Sequence, residues 1–253
     1  TITTSLRGLV DGVIIVDQQM EPVHSGLGGG VVPDAFMILS RIISSFHNDK
    51  GELLIEGLTP TEQDVFELSD EFVKSSLSST GVNLFEMDSY SKRLWLEPAL
   101  SVLAIDAPPV AESVNLLIPK AKAKVSLRLP PTEDPDHAMN MLEQHIKENT
   151  PFNANVEFIP EAKGKGILVD PKNEFSSKLI ESFNKHWENE VAYMGVGGSI
   201  PFANVFINEF PNSEIVLVGA GDEEGNAHAP NESVNISDIQ RLIDSLTDAI
   251  SNY

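Results

Sequence analysis

A chain of 253 residues, 41% hydrophobic and 22% charged, is long enough to bury a sizeable core as one large or two modest domains. Seventeen Lys and Arg against thirty-eight Asp and Glu give a formal net charge of −21, which repels phosphate backbones and anionic membranes and argues against nucleic-acid binding. Without cysteine, disulfides, thiolate metal sites and cysteine nucleophiles are excluded, so any metal must be held by His, Asp and Glu.

No apolar run approaches the ~18 residues that span a bilayer. No signal peptide is visible either, so a cytoplasmic protein without a membrane partner is expected. The chain opens at Thr1 in strand-like sequence with no initiator methionine, which reads as a cut inside a longer protein.

The stretch LRGLVDGVIIVDQQ (6–19) is β-branched and partly alternating, a strand signal. HSGLGGG breaks it with glycines that permit close backbone approach or unusual φ. Pro33 and Asp34 then open a predicted helix over 32–49, with Phe36, Leu39, Ile43 and Phe46 at apolar positions. A turn at Asn48–Gly51 leads to a short predicted strand, ELLIEGL (52–58), and residues 60–80 are acidic and helix-like. ALSVLAIDA (99–107) is strand-like. In NLLIPKAKAKVSLRLPP, Ala121, Ala123, Val125, Leu127 and Leu129 share one side and Lys122, Lys124, Ser126 and Arg128 the other, which predicts a half-buried strand with a basic face. A helix over 134–149 and a strand over 153–160 follow. Residues 1–160 therefore read as an α+β sandwich, helices on one face of an antiparallel sheet.

EAKGKG (161–166) looks like a linker. Beyond it, helices over 173–189, 199–210 and 235–253 alternate with short apolar strands at 191–195 and 213–221, as at the end of an α/β layer. So few strands make a poor free-standing α/β domain, and something that belongs beside them is missing.

Several residues could carry chemistry. The Gly197-Gly198-Ser199 turn opening a helix offers backbone N–H groups and a hydroxyl to an anion, although a plain turn with a serine cap has the same sequence. His228 follows the strand EIVLVGAG, at the carboxyl end where open α/β sheets place ligands. It is either an incidental loop histidine or one ligand of a metal site whose other ligands lie elsewhere, because zinc takes roughly three or four protein ligands. His24 stands between a strand and a helix. Arg128 is the residue type best suited to gripping a carboxylate with two prongs, unless it is a surface arginine paired locally. His47, His137, His145 and His186 lie in or at the ends of helices without metal-ligand spacing, and read as structural.

In order along the chain, TTSLRGLV, VHSGLGGGVVPDA, NLLIPKAKAKVSLRLPP, MGVGGSIPF and GAGDEEGNAHAPNE resemble the second half of co-catalytic zinc peptidases, the family of carnosinase-like and cytosolic nonspecific dipeptidases, aminoacylase and succinyl-diaminopimelate desuccinylase. The resemblance implies a lid and dimerisation domain over 1–162, a four-stranded antiparallel sheet with two helices on one face. An incomplete α/β catalytic domain would follow over 163–253. By the same resemblance His228 matches the last zinc ligand, in a His-x-x-Asn-Glu pattern, and His24 matches the lid histidine that reaches the neighbouring subunit's site and steadies the oxyanion. Arg128 matches the arginine that holds the substrate's C-terminal carboxylate. Asn115 matches a substrate-contacting asparagine, and Gly198 and Ser199 the Gly-Gly-Ser turn at the substrate end.

The implied function is dipeptide hydrolysis by metal-activated water in a homodimer that pairs through the lid. A pair of zinc ions is expected, with manganese or cobalt as alternatives, but the other ligands and the general base belong to the family's first half. The fragment itself is therefore expected to be inactive, with an incomplete metal site. Two other readings compete: a noncatalytic dimerisation module that binds carboxylates, and an aminoacylase or deacylase of the same family.

Overall fold

The computed structural model describes residues 1–76, 84–198, 200–210, 212–221, 225 and 230–253. Its elements are β1 (Ile2–Leu6), β2 (Gly8–Asp17), α1 (Ser25–Gly28), α2 (Ala35–Ser45), α3 (Asp70–Ser76), α4 (Tyr90–Trp95), β3 (Ala99–Asp106), β4 (Lys120–Leu129), α5 (Pro135–Glu148), β5 (Val156–Gly164), β6 (Ile167–Leu168), α6 (Glu174–His186), β7 (Tyr193–Val196), α7 (Pro201–Glu209) and α8 (Ile236–Ser251). They form two compact units. One comprises Arg7–Thr61 and Glu97–Gly166, the other Thr1–Leu6, Glu62–Leu96 and Ile167–Tyr253.

The first unit is a four-stranded antiparallel sheet in the order β3-β4-β2-β5. Alternation along β2 and β4 sends Val10, Ile14 and Val16, with Ala121, Ala123, Val125, Leu127 and Leu129, to one buried face. Helices α2 and α5 cover that face with Ala35, Ile38, Leu39, Ile42 and Phe46 and with Ala138, Leu142 and Ile146. Each large side chain buried this way contributes roughly 1.5–3 kcal/mol. The helices start where sequence chemistry starts them: Asp34 caps α2 by accepting from Met37 N–H at 2.9 Å, and Asp134 caps α5 by accepting from His137 N–H at 2.9 Å, with Pro135 in the first turn. At mid-sheet the Phe158 ring crosses Gly12 so closely that a Cβ there would come within 2.3 Å of it.

In the second unit a three-stranded sheet runs β6-β1-β7, with β1 antiparallel to β6 and parallel to β7. Helices α6 and α8 pack through Leu179, Phe183 and Ala249 together with Ile2. Their seam is tied by Ser182 Oγ donating to Ser245 O at 2.7 Å and by Trp187 Nε1 donating to Ser245 Oγ at 3.2 Å. Ala203 of α7 packs with Leu6, Ile167 and Val169. A further cluster gathers Leu68, Val73, Trp95 and Leu96 around Met194. Here Gly195 carries the Trp95 side chain, whose Cβ would lie 2.4 Å from any Cβ added to the glycine.

The four-stranded antiparallel sheet with two helices on one face is as expected. Several boundaries are not. The units divide the chain elsewhere than at 162/163, because Thr1–Leu6 and Glu62–Leu96 pack with the C-terminal part. The strand foreseen over 6–19 is two strands that meet at Arg7. EAKGKG is no linker down to Gly164: Glu161–Gly164 complete β5, with Lys163 opposite Val10. The segments 52–58 and 213–221 make isolated bridges, His47 to Leu53 and Thr3 to Leu217, and among the described residues of the acidic stretch, which leave out 77–80, Asp70–Ser76 is helical and 60–69 are not. In α2 the buried stripe is Ala35, Ile38, Leu39 and Ile42, one position off the foreseen Phe36 and Ile43. Among the described residues no helix is long and apolar enough to cross a membrane.

Candidate functional site

His24 is held by backbone rather than by side-chain packing. It pairs with Leu116 in an isolated antiparallel bridge, where Ser25 N–H donates to Asn115 O and Leu117 N–H to Val23 O, both at 2.8 Å. Two candidates named from sequence, His24 and Asn115, are thereby brought onto neighbouring strands of a small ribbon. His24 also caps α1, its Nδ1 accepting from Gly26 N–H at 3.0 Å. The glycines that follow have steric reasons. A Cβ at Gly28 would sit 2.9 Å from Val23 Cγ1, one at Gly29 2.4 Å from Ser25 O, and Gly30 has φ +84°. The His24 side chain remains exposed.

Arg128 is half-buried on the polar face of β4, opposite Leu9 of β2 and Ala99 of β3. Two of the three lysines of that face, at 120 and 124, are paired with carboxylates, and Lys122 has no acidic partner within salt-bridge distance among the described residues. Lys120 Nζ meets Asp17 Oδ2 at 2.9 Å and Lys124 Nζ meets Glu161 Oε2 at 2.6 Å. The bond from Glu161, then its charge, raises the Lys124 pKa; the Gln19 N–H, then Lys120, lowers that of Asp17. Among the described residues Arg128 has no acidic partner within salt-bridge distance. A guanidinium left free in so acidic a chain can take a carboxylate from outside it. The segment carrying Asn115 leads into β4 at Lys120, so Arg128 lies eight positions on, roughly 26 Å along the strand at ~3.3 Å per residue. Arg128 is thus at the far end of the sheet from His24 and Asn115.

The remaining candidates belong to the second unit. Gly198 is half-buried just after β7. Helix α7 begins at Pro201, and its N-cap is Ile200, without a side-chain capping bond, so the cap foreseen at Ser199 falls one residue later. Ser199 and His228 lie outside the described residues. Among the described residues no group of three or more His, Cys, Asp or Glu converges to hold a metal ion. The described donor set therefore does not fit a metal centre by itself. The four histidines read as structural have structural contacts: His137 with Glu133 at 2.8 Å, His145 stacked on Phe46 at 5.3 Å between centroids, His186 with Asp248 at 3.6 Å, and the His47 bridge to Leu53.

One participant went unnamed in the sequence reading. Gly26 serves His24 through its N–H, and the legible signal was His-Ser-Gly itself, a side-chain acceptor two residues before a glycine amide.

The peptidase dimerisation domain model matches residues 4–154. Cysteinylglycine-S-conjugate dipeptidase of Corynebacterium striatum is 31% identical over 96% of this chain and 54% of its own length. Among solved structures, the Saccharomyces cerevisiae dipeptidase Dug1p superposes with a TM-score of 0.77 at 22% identity, over 99% of this chain and 55% of that one. Human carnosine dipeptidase 1 does so with a TM-score of 0.77 at 18% identity, over 100% and 57%. The chain spans about half the length of the curated relatives it matches. It belongs to the M20 peptidase family, whose dimerisation domain it carries.

Proposed function

We propose that the chain is the lid and the C-terminal catalytic portion of a metal-dependent dipeptidase, and that the unit of Arg7–Thr61 and Glu97–Gly166 is that lid. The observation that carries this reading is Arg128, the one guanidinium of β4 and free of an acidic partner, on a face where Lys120 and Lys124 are paired and Lys122, like Arg128, is not. A dipeptide presents a carboxylate at a fixed distance from its scissile bond, and a bidentate grip on it converts binding into orientation. His24 supplies a hydrogen bond to the oxyanion that develops at the attacked carbonyl. With His24 and Arg128 at opposite ends of one sheet, His24 serves the site of a second copy, so the active form is a homodimer. Asn115 contacts the substrate beside His24, and Gly198 and Ser199 bound its far end. His228 contributes one ligand to the metal, with zinc the favoured ion; the described residues do not complete that site. The names of the relatives, dipeptidases and a metallodipeptidase among them, support the reaction class.

The test is substrate discrimination by the whole enzyme. A dipeptide and its C-terminal amide differ only in the carboxylate, so the native protein should prefer the free acid by about 10- to 100-fold in kcat/KM, the worth of one or two charged hydrogen bonds. Arg128→Ala should remove the preference and Arg128→Lys restore part of it. An unchanged ratio in Arg128→Ala would sink the assignment. Hydrolysis of acylated amino acids with no hydrolysis of dipeptides would favour the deacylase reading.

A further inference from the structure

We infer that Gly26 is a positioning residue, whose N–H holds the His24 imidazole in the tautomer that carries its proton on Nε2. The inference rests on the reading of His24 as the oxyanion donor. A neutral imidazole has one donor nitrogen and one acceptor. The Gly26 N–H points at Nδ1 from 3.0 Å, so Nδ1 is the acceptor and the proton resides on Nε2. An oxyanion needs a donor, and this arrangement provides one on a neutral ring without requiring the imidazolium.

Three features make the contact more than a cap on a four-residue helix. The His24 backbone, from which the ring reaches the amide, is held on its other side by the Leu116 bridge. The residue that donates is glycine, and a Cβ there would come within 3.1 Å of Nδ1 and 3.2 Å of Cε1, tight enough that the ring would have to shift by a few tenths of an ångström. The ring is otherwise exposed, and no other described group bonds to either nitrogen, so nothing else sets the tautomer. Ring orientation and proton location therefore depend on one backbone amide, whose residue leaves the ring unshifted by having no side chain.

The experiment is long-range proton–nitrogen NMR on the chain with 15N-labelled histidine, the His24 signals being those that vanish in His24→Gln. Folded protein above the titration range should show His24 as the Nε2–H form alone, whereas the chain in urea shows the unconstrained mixture. The Gly26 amide proton should shift in step with protonation of His24, because imidazolium has no lone pair at Nδ1. In Gly26→Ala the tautomer populations should move toward the urea mixture. In the whole enzyme the same variant should lower kcat by roughly fivefold, the worth of one neutral hydrogen bond, with KM unchanged. An Nδ1–H ring in the folded chain, or a Gly26 amide indifferent to His24 protonation, overturns the inference, and neither result requires Gly26→Ala to fold. If the tautomer behaves as stated but His24→Gln leaves dipeptide hydrolysis untouched, the Gly26 contact stands and the oxyanion role of His24 falls.

Discussion

Asn115 is tied to Ser25 through its carbonyl oxygen, 2.8 Å from the Ser25 amide, and this bond makes it a neighbour of His24. Backbone and side chain of Asn115 are therefore separable. Asn115→Ala keeps the carbonyl and hence the bridge, but deletes the amide group proposed to touch substrate. Steady-state kinetics on the whole enzyme should show KM for dipeptides raised about 5- to 30-fold, with Tm unchanged. A fall in Tm with unchanged KM would make Asn115 a structural residue only.

The two edges of the four-stranded sheet are not alike. Strand β5 is blunted by Pro160 and by the charges of Glu157, Glu161 and Lys163. Such devices discourage pairing with another strand. Strand β3 has no charge before Asp106 and exposes Leu103 and Ile105, at 56% and 47%. The proposed homodimer should therefore form through β3, and replacing Leu103 and Ile105 together by Lys should yield monomers by light scattering. Persistence of the dimer in that double variant would move the interface elsewhere.

What the sequence disclosed is what short-range chemistry controls. Alternation over 121–129 fixed the two faces of β4, and Asp34 and Asp134 marked the helix starts. The elements it misjudged depend on partners distant in sequence. Leu6 and Gly8 look continuous, yet Ile2 bonds to Ala192 and Gly8 pairs with Leu129, so Arg7 is a boundary that no local pattern reveals. Residues 62–96 join the second unit because Leu68, Trp95 and Leu96 pack around Met194, about a hundred residues on from Trp95. EAKGKG reads as a linker by composition, but an edge strand tolerates polar residues and glycine, and β5 runs through it as far as Gly164. For the site, motif order disclosed the family and the candidates. The service of Gly26 to His24 is a bond from a backbone amide to a side chain, and its local signal, His-Ser-Gly, names no role for the glycine by itself.

Acid should loosen the α6–α8 seam. Asp248 accepts from Lys185 Nζ at 3.1 Å and from Ser182 Oγ at 3.2 Å. Its pKa is lowered, first by the Lys185 hydrogen bond, with burial opposing and Ser182, the Lys185 charge and His186 adding to it. A depressed carboxylate pKa gives stability that is fully present above the unfolded value of about 4 and lost as pH falls through the folded value. The urea midpoint should drop below pH ~4, and Asp248→Asn should flatten that drop while lowering the midpoint at pH 7. Equal acid slopes in the two proteins would exclude Asp248 as the source.

His145 gives the opposite charge logic in a higher window. Its Nε2 lies 3.0 Å from Ser45 Oγ and 3.1 Å from Ser45 O, and its ring stacks on Phe46 at 5.3 Å, joining α5 to the end of α2. Burial lowers its pKa, against the raising effects of the Ser45 carbonyl, Glu148 and Glu56. The unfolded chain then takes up the proton first as pH falls from the free value of about 6.5, so stability present above that pH is lost through the window down to the folded value. Between pH 7.5 and 5 the urea midpoint should fall. His145→Gln removes the titrating group and should make the midpoint level across that interval, at the cost of the stacking contact and hence a lower value at pH 7.5. If the slope survives the substitution, a different histidine is responsible, and the Ser45–His145 junction is only a packing contact.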